Sequence, residues 1–114
     1  MDNSILTEIK KLLGLDESYK AFDTDIIIHI NTALMILTDI GIGPKDGYYI
    51  VDGTETWKDY LGDDMSKYQS VKSYIYIKTK MLFDPPSNTT TIQSLEQISK
   101  ELEWRLYTKS ELEG

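Results

Sequence analysis

The side chains able to do chemistry are few, and their spacing builds no reaction centre. His29 is the only histidine, and the chain has no cysteine. Without cysteine there is no disulfide, thiolate metal site or cysteine nucleophile. A metal site needs several convergent ligands, which nothing gathers around His29, so it reads as a partly buried structural residue. The carboxylate pairs Asp63–Asp64 and Asp23/Asp25 fall where helices begin, and there carboxylates act as caps. A glycosidase-like pair would also require a cleft, for which the sequence gives no sign. Gly41-Ile42-Gly43 runs into Pro44 rather than into a lysine and a helix, so it is not a phosphate loop. Lys67, Lys72, Lys78 and Lys80, interleaved with tyrosines, could track a nucleic-acid backbone. The competing reading is a row of lysines snorkelling from a half-buried helix. No catalytic, cofactor or metal site is expected.

The composition favours the second reading of those lysines. The 114 residues carry a net charge of −7, the wrong sign for electrostatic capture of nucleic acid. With 40% hydrophobic and 27% charged residues, the chain has the make-up of one folded domain over residues 1–114. The opening MDNSILTEIKK shows no basic leader followed by an apolar core, so no signal peptide is expected. No apolar run approaches the roughly 18 residues of a membrane span.

Four main helices should position these residues. Ser4 can cap a first helix over Ile5–Leu13, with Ile5, Ile9 and Leu12 as its apolar stripe. Glu8, Lys10 and Lys11 form its wet side, and Gly14 suits the left-handed residue that ends it. A polar linker follows to Lys20. Asp23 is the expected cap of a second helix, with Phe22 and Ile27 as a hydrophobic staple. Its stripe is Ile26, Ile30, Ala33, Leu34 and Leu37, and Gly41 or Gly43 with Pro44 stops it. Ile28, Met35 and Ile36 lie off that stripe, which predicts burial by protein on more than one side. Pro44–Asp64 is irregular. Tyr48–Val51 has strand composition and Asp52-Gly53 reads as a hairpin turn. Thr54–Leu61 could then return as a strand, or Thr54 could cap a short helix carrying Trp57, Tyr60 and Leu61. A short strand and then a helical turn is the expectation.

The chain is organised around the helix pair that follows. The stretch from Ser66 to Phe83 is helical in pattern. Asp84 precedes a proline and is biased away from helical angles, and Pro85 and Pro86 lack the N–H a helix needs. Ser87, Asn88 and Thr89 can each cap the next helix. That helix, to Tyr107, shows a stripe of Ile92, Leu95, Ile98, Leu102 and Leu106. Glu96–Lys100 and Glu101–Arg105 form i,i+4 pairs, and Trp104 sits opposite the stripe. Thr108–Gly114 is expected to fray. In the helix before the corner, Tyr68, Val71, Tyr74, Ile75, Met81 and Leu82 make one broad face. Tyr76, Ile77 and Phe83 point elsewhere, which predicts a second burial surface on a partner subunit.

The run Lys80-Met81-Leu82-Phe83-Asp84-Pro85-Pro86, with a last helix ending Leu102-Glu103-Trp104-Arg105-Leu106, resembles the head–tail connector family. These are the small head-completion or adaptor proteins of long-tailed phages and prophages. The similarity covers about Leu6 to Tyr107, and the Phe83–Pro86 corner is its most specific part. It implies an all-α fold: a small bundle of about four main helices, with a short extended or hairpin segment between the second and third. It also implies a structural virion protein, not an enzyme, assembled in the bacterial host cytoplasm and residing at the head–tail interface. Such proteins form a closed ring, dodecameric in the virion, beneath the portal protein, and offer a platform to a stopper or tail-completion protein. DNA passes through without specific binding, and no membrane is involved. Trp57, Tyr60, Tyr48, Tyr49, Tyr76 and Trp104 are the expected interface residues. The alternative is a small DNA-binding regulator or DNA-packaging recognition subunit. That would need basic or amide side chains on an exposed recognition helix, where the second helix offers Asn31 and Thr32 but no Lys or Arg.

Overall fold

The structure, a computed structural model, describes residues 4–113. Five helices follow in order: α1 (Ile5–Leu12), α2 (Asp23–Asp39), α3 (Trp57–Leu61), α4 (Tyr68–Phe83) and α5 (Thr89–Glu113). The fold is all-α, as expected. Among the described residues there is no strand, only an isolated antiparallel bridge between Ser4 and Thr56.

Local signals set most of the helix ends. Ser4 Oγ accepts from the Thr7 N–H at 3.2 Å and opens α1. Gly14, at φ +84°, closes it. The N–H of Gly14 bonds to the Lys11 carbonyl and that of Leu15 to the Lys10 carbonyl, a Schellman motif. Gly41, at φ +96°, repeats the motif after α2, through Gly41 N–H to Thr38 O and Ile42 N–H to Leu37 O. At the corner α4 stops at Phe83, and Asp84 turns to φ −148°, ψ 69°. Asn88 then accepts from the Thr91 N–H at 3.1 Å and starts α5.

Four expectations are corrected. Tyr48–Val51 is extended but pairs with no strand, and Asp52-Gly53 makes no hairpin. Instead Asn31 of α2 holds the segment, accepting from Ile50 N–H at 2.8 Å and donating to Ile50 O at 3.0 Å. Asp52 Oδ1 accepts from both Thr54 N–H and Thr54 Oγ1, a side-chain turn in place of a backbone one. The short helix that follows is capped by Thr56, not Thr54. Thr56 Oγ1 accepts from Asp59 N–H and Asp59 Oδ2 from Thr56 N–H, a reciprocal capping box.

The second correction is Lys10, which is not on a wet side. It is 2% exposed, and its ammonium reaches the carbonyls of Glu17 (3.1 Å) and Tyr19 (2.7 Å) and the Asp23 carboxylate (2.8 Å). Two of its donors are met by backbone carbonyls, and the carboxylate pairs with its charge. Asp23 is therefore spent on Lys10, and α2 begins without a side-chain cap. Third, α5 continues past Tyr107 to Glu113, where a frayed tail was expected, and Ser110 Oγ reaches Gly41 O at 3.3 Å. Fourth, its inward stripe runs through Ser99 (1% exposed) and not Ile98 (43%). Of its two expected ion pairs only Glu101–Arg105 closes, at 3.7 Å.

The core gathers Ile5 and Ile9 of α1, Ile26, Ile30, Leu34 and Leu37 of α2, and Val71, Tyr74 and Ile75 of α4. Full burial of each such aliphatic side chain stabilises the fold by about 1.5–3 kcal/mol. Ile50 from the extended segment and Leu106 from α5 complete it.

Candidate interaction surface

The expected interface residues divide into two groups. Trp57 (1% exposed) and Tyr60 (2%) belong to the protomer's own core, which corrects their assignment to a partner surface. The capping box starts α3 at Trp57, and the three-residue spacing puts Trp57 and Tyr60 on the same, inward face. Trp57 stands edge-on to Tyr68 at 5.4 Å, and burial raises the Tyr60 hydroxyl well above the usual tyrosine range. Tyr48 is half-buried against Tyr60, with ring centroids 5.1 Å apart. Tyr76 is also half-buried against the core.

The apolar groups on several sides of α4 have an answer inside the chain. This helix contacts α1, α2 and α5, so Ile77 and Thr79 are buried by the protomer itself. Phe83, at the corner, packs edge-on against Phe22 at 5.3 Å. Asp84 receives Lys80 Nζ at 3.0 Å, and the exposed Pro85 and half-buried Pro86 carry the chain round to α5.

Exposed apolar side chains include a surface on α2 with the extended segment and another on α5. On the first, Ile28, Met35, Tyr49 and Val51 are all more than half exposed. The Ile50 side chain is buried in the core, and its neighbours Tyr49 and Val51 are turned outward. On α5, Trp104 is 66% exposed and lies against Tyr107, centroids 6.4 Å apart. Sequence reasoning gave Trp104 and Tyr49 but did not join Tyr49 to Met35. The off-stripe placement of Ile28 and Met35 marked that face of α2, but nothing local brings Tyr49 to it.

The lysines of α4 do not form a free cationic row. Lys72 lies 4.0 Å from Glu8, Lys78 3.6 Å from Glu103 and Lys80 3.0 Å from Asp84. Lys72 also sits over the Tyr68 ring, whose hydroxyl donates to Glu8 at 2.7 Å. Tyr74 likewise donates to Glu103 at 2.7 Å. Burial first, and then that bond, raises its hydroxyl pKa strongly. Among the described residues, no group of three or more His, Cys, Asp or Glu could hold a metal. No helix among them is long and apolar enough to cross a membrane.

The domain is helical and leaves the aromatic rings of Tyr49 and Trp104 exposed. The chain matches the phage connector proteins over residues 5–113, and it belongs to that family. Comparisons with curated proteins and with solved structures give no match.

Proposed function

We propose that this protein is a head–tail connector that docks as a closed ring beneath the portal vertex. There it lengthens the DNA channel and presents a platform to a stopper or tail-completion protein. The observation that carries this reading is the family match, which spans nearly every described residue. Two features support it. A net charge of −7 disfavours adhesion of DNA moving through a lumen. The α4 lysines that could have gripped DNA are engaged with Glu8, Glu103 and Asp84. Assembly takes place in the host cytoplasm, and the finished ring resides in the virion.

Adding the purified protein to DNA-filled heads that lack it tests the reading. Imaging by cryo-electron microscopy should show a new ring of density under the portal, and tail attachment should recover. Heads that join tails equally well without the protein would refute it. A low-salt gel-shift serves as the counter-test. Tight binding to duplex DNA that weakens steeply with salt would point to a DNA-binding regulator instead.

A further inference from the structure

The groove beside α2 and the outer face of α5 have matching chemistry. Met35, Tyr49, Asp39 and Asp46 are among the residues that line the groove, together with Asn31 and Gly47, and no α5 residue lines it. Met35 (59%) and Tyr49 (68%) offer exposed apolar area. Asp39 and Asp46 are exposed carboxylates with no ion-pair partner among the described residues. The α5 face presents Trp104 and Tyr107, with Lys100 one turn before Trp104. Lys100 is exposed and makes no ion pair among the described residues, its expected partner Glu96 included. One surface is thus apolar with spare anions, and the other is aromatic with a spare cation.

We propose that the α5 face of one copy, Trp104 and Tyr107 flanked by Lys100, seats in the Met35–Tyr49 groove of a second copy. Trp104 then packs against the Met35 thioether and the Tyr49 ring, a favourable sulfur–aromatic and aromatic contact. Lys100 meets Asp39 and Asp46 at the rim. The two surfaces are different parts of one chain, so the contact is head-to-tail. Such a contact repeats from copy to copy and closes into a ring or runs on as a filament. The inference rests on the ring reading above and gives it a specific joint.

Charge reversal with rescue tests the joint. All three charged residues are exposed, and a lysine at position 39 suits the C-terminal end of α2, so the variants should keep the parent's helical circular dichroism. Association is measured by analytical ultracentrifugation and, on filled heads, by ring density. Lys100→Glu alone, and Asp39→Lys with Asp46→Lys, should each weaken association about tenfold or more. The triple variant carrying all three reversals should recover it. Trp104→Ala should abolish it. Parental assembly by Lys100→Glu, or a triple variant no better than its parts, overturns the groove assignment and leaves the ring reading standing. A parent protein that forms no ring in solution or on heads overturns both.

Discussion

The seam between α2 and α4 and the seam between α4 and α5 share a helix but are built from different material. The first joins Ile26, Ile30, Ala33, Leu34 and Leu37 to Val71, Tyr74 and Ile75, all fully buried. From α5 the second fully buries, among the described side chains, only Ser99 and Leu106. Thr79 and Ser99 place hydroxyls in the protein interior, and the Tyr74–Glu103–Lys78 cluster ties the two helices together at their edge. An apolar seam is held by area and is indifferent to direction. A polar seam depends on geometry and protonation, so it is the one that conditions can loosen. The α4–α5 seam should accordingly open locally before the protein unfolds as a whole.

Substitutions can break or sharpen this contrast. The largest effect should come from the core. Trp57→Ala removes a fully buried indole and should cost about 3–5 kcal/mol in denaturant unfolding, with every helix melting together. Leu106→Ala removes the fully buried apolar anchor of α5, against which Leu102 is only partly buried, and should cost about 2–3 kcal/mol. Its signature is hydrogen exchange: amides of α5 should lose protection while those of α2 keep theirs. Uniform loss across both helices would show that the seams are one cooperative unit.

Smaller effects should follow from the polar seam. Glu103→Gln weakens the acceptor for Tyr74 and Lys78. With Glu103 about one-third exposed, the cost should be about 1 kcal/mol. Alkaline pH probes the same bond. An unfolded tyrosine ionises near 10.0, and the folded values of Tyr74 and Tyr60 are raised, so folding favours their neutral forms. Their contribution is intact below pH 10 and is lost progressively as pH rises above it. Denaturant midpoints should fall along that alkaline limb. Tyr74→Phe should flatten the limb in part, and Tyr60→Phe should remove a further share. A limb identical to the parent's in both variants would mean that neither hydroxyl is coupled to folding. Smallest for the protomer is Trp104→Ala, expected to shift its stability by less than about 0.5 kcal/mol because the ring is mostly in solvent. A loss of several kcal/mol would place Trp104 in the fold and not on a contact surface.

The parts legible in the sequence are those fixed by local chemistry. Gly14 and Gly41 end helices, Pro85 and Pro86 force the corner, and Asn88 restarts the chain, each through interactions within a few residues. The α2 stripe was equally plain, because all five of its residues face one core. Misreadings arose where a distant segment decided the outcome. Lys10 looks like a surface lysine until the carbonyls of Glu17 and Tyr19 surround it. Ile98 looks buried by type, yet α5 packs on α4 through the neighbouring Ser99, and Ile98 is left 43% exposed. The start of α3 was recoverable: Thr56 and Asp59 have capping-box spacing, and Trp57 and Tyr60 then fall three apart on one helix face. On the contact surfaces, Trp104 was visible from its angle on the helix. The Met35–Tyr49 groove was not, since Asn31 creates it by clamping Ile50 across 19 residues.

The enclosure of Lys10 also makes the chain a gauge of its own integrity. Amine-reactive reagents must reach a lysine nitrogen to modify it, and Lys10 is out of reach while the carbonyls of Glu17 and Tyr19 and the Asp23 carboxylate enclose it. Its position joins α1, the 13–22 linker and the first turn of α2 at one point. Acylation at Lys10, read by peptide mass mapping, would therefore report the fraction of molecules in which that junction has come apart. The more exposed lysines in the same spectrum would supply the internal standard.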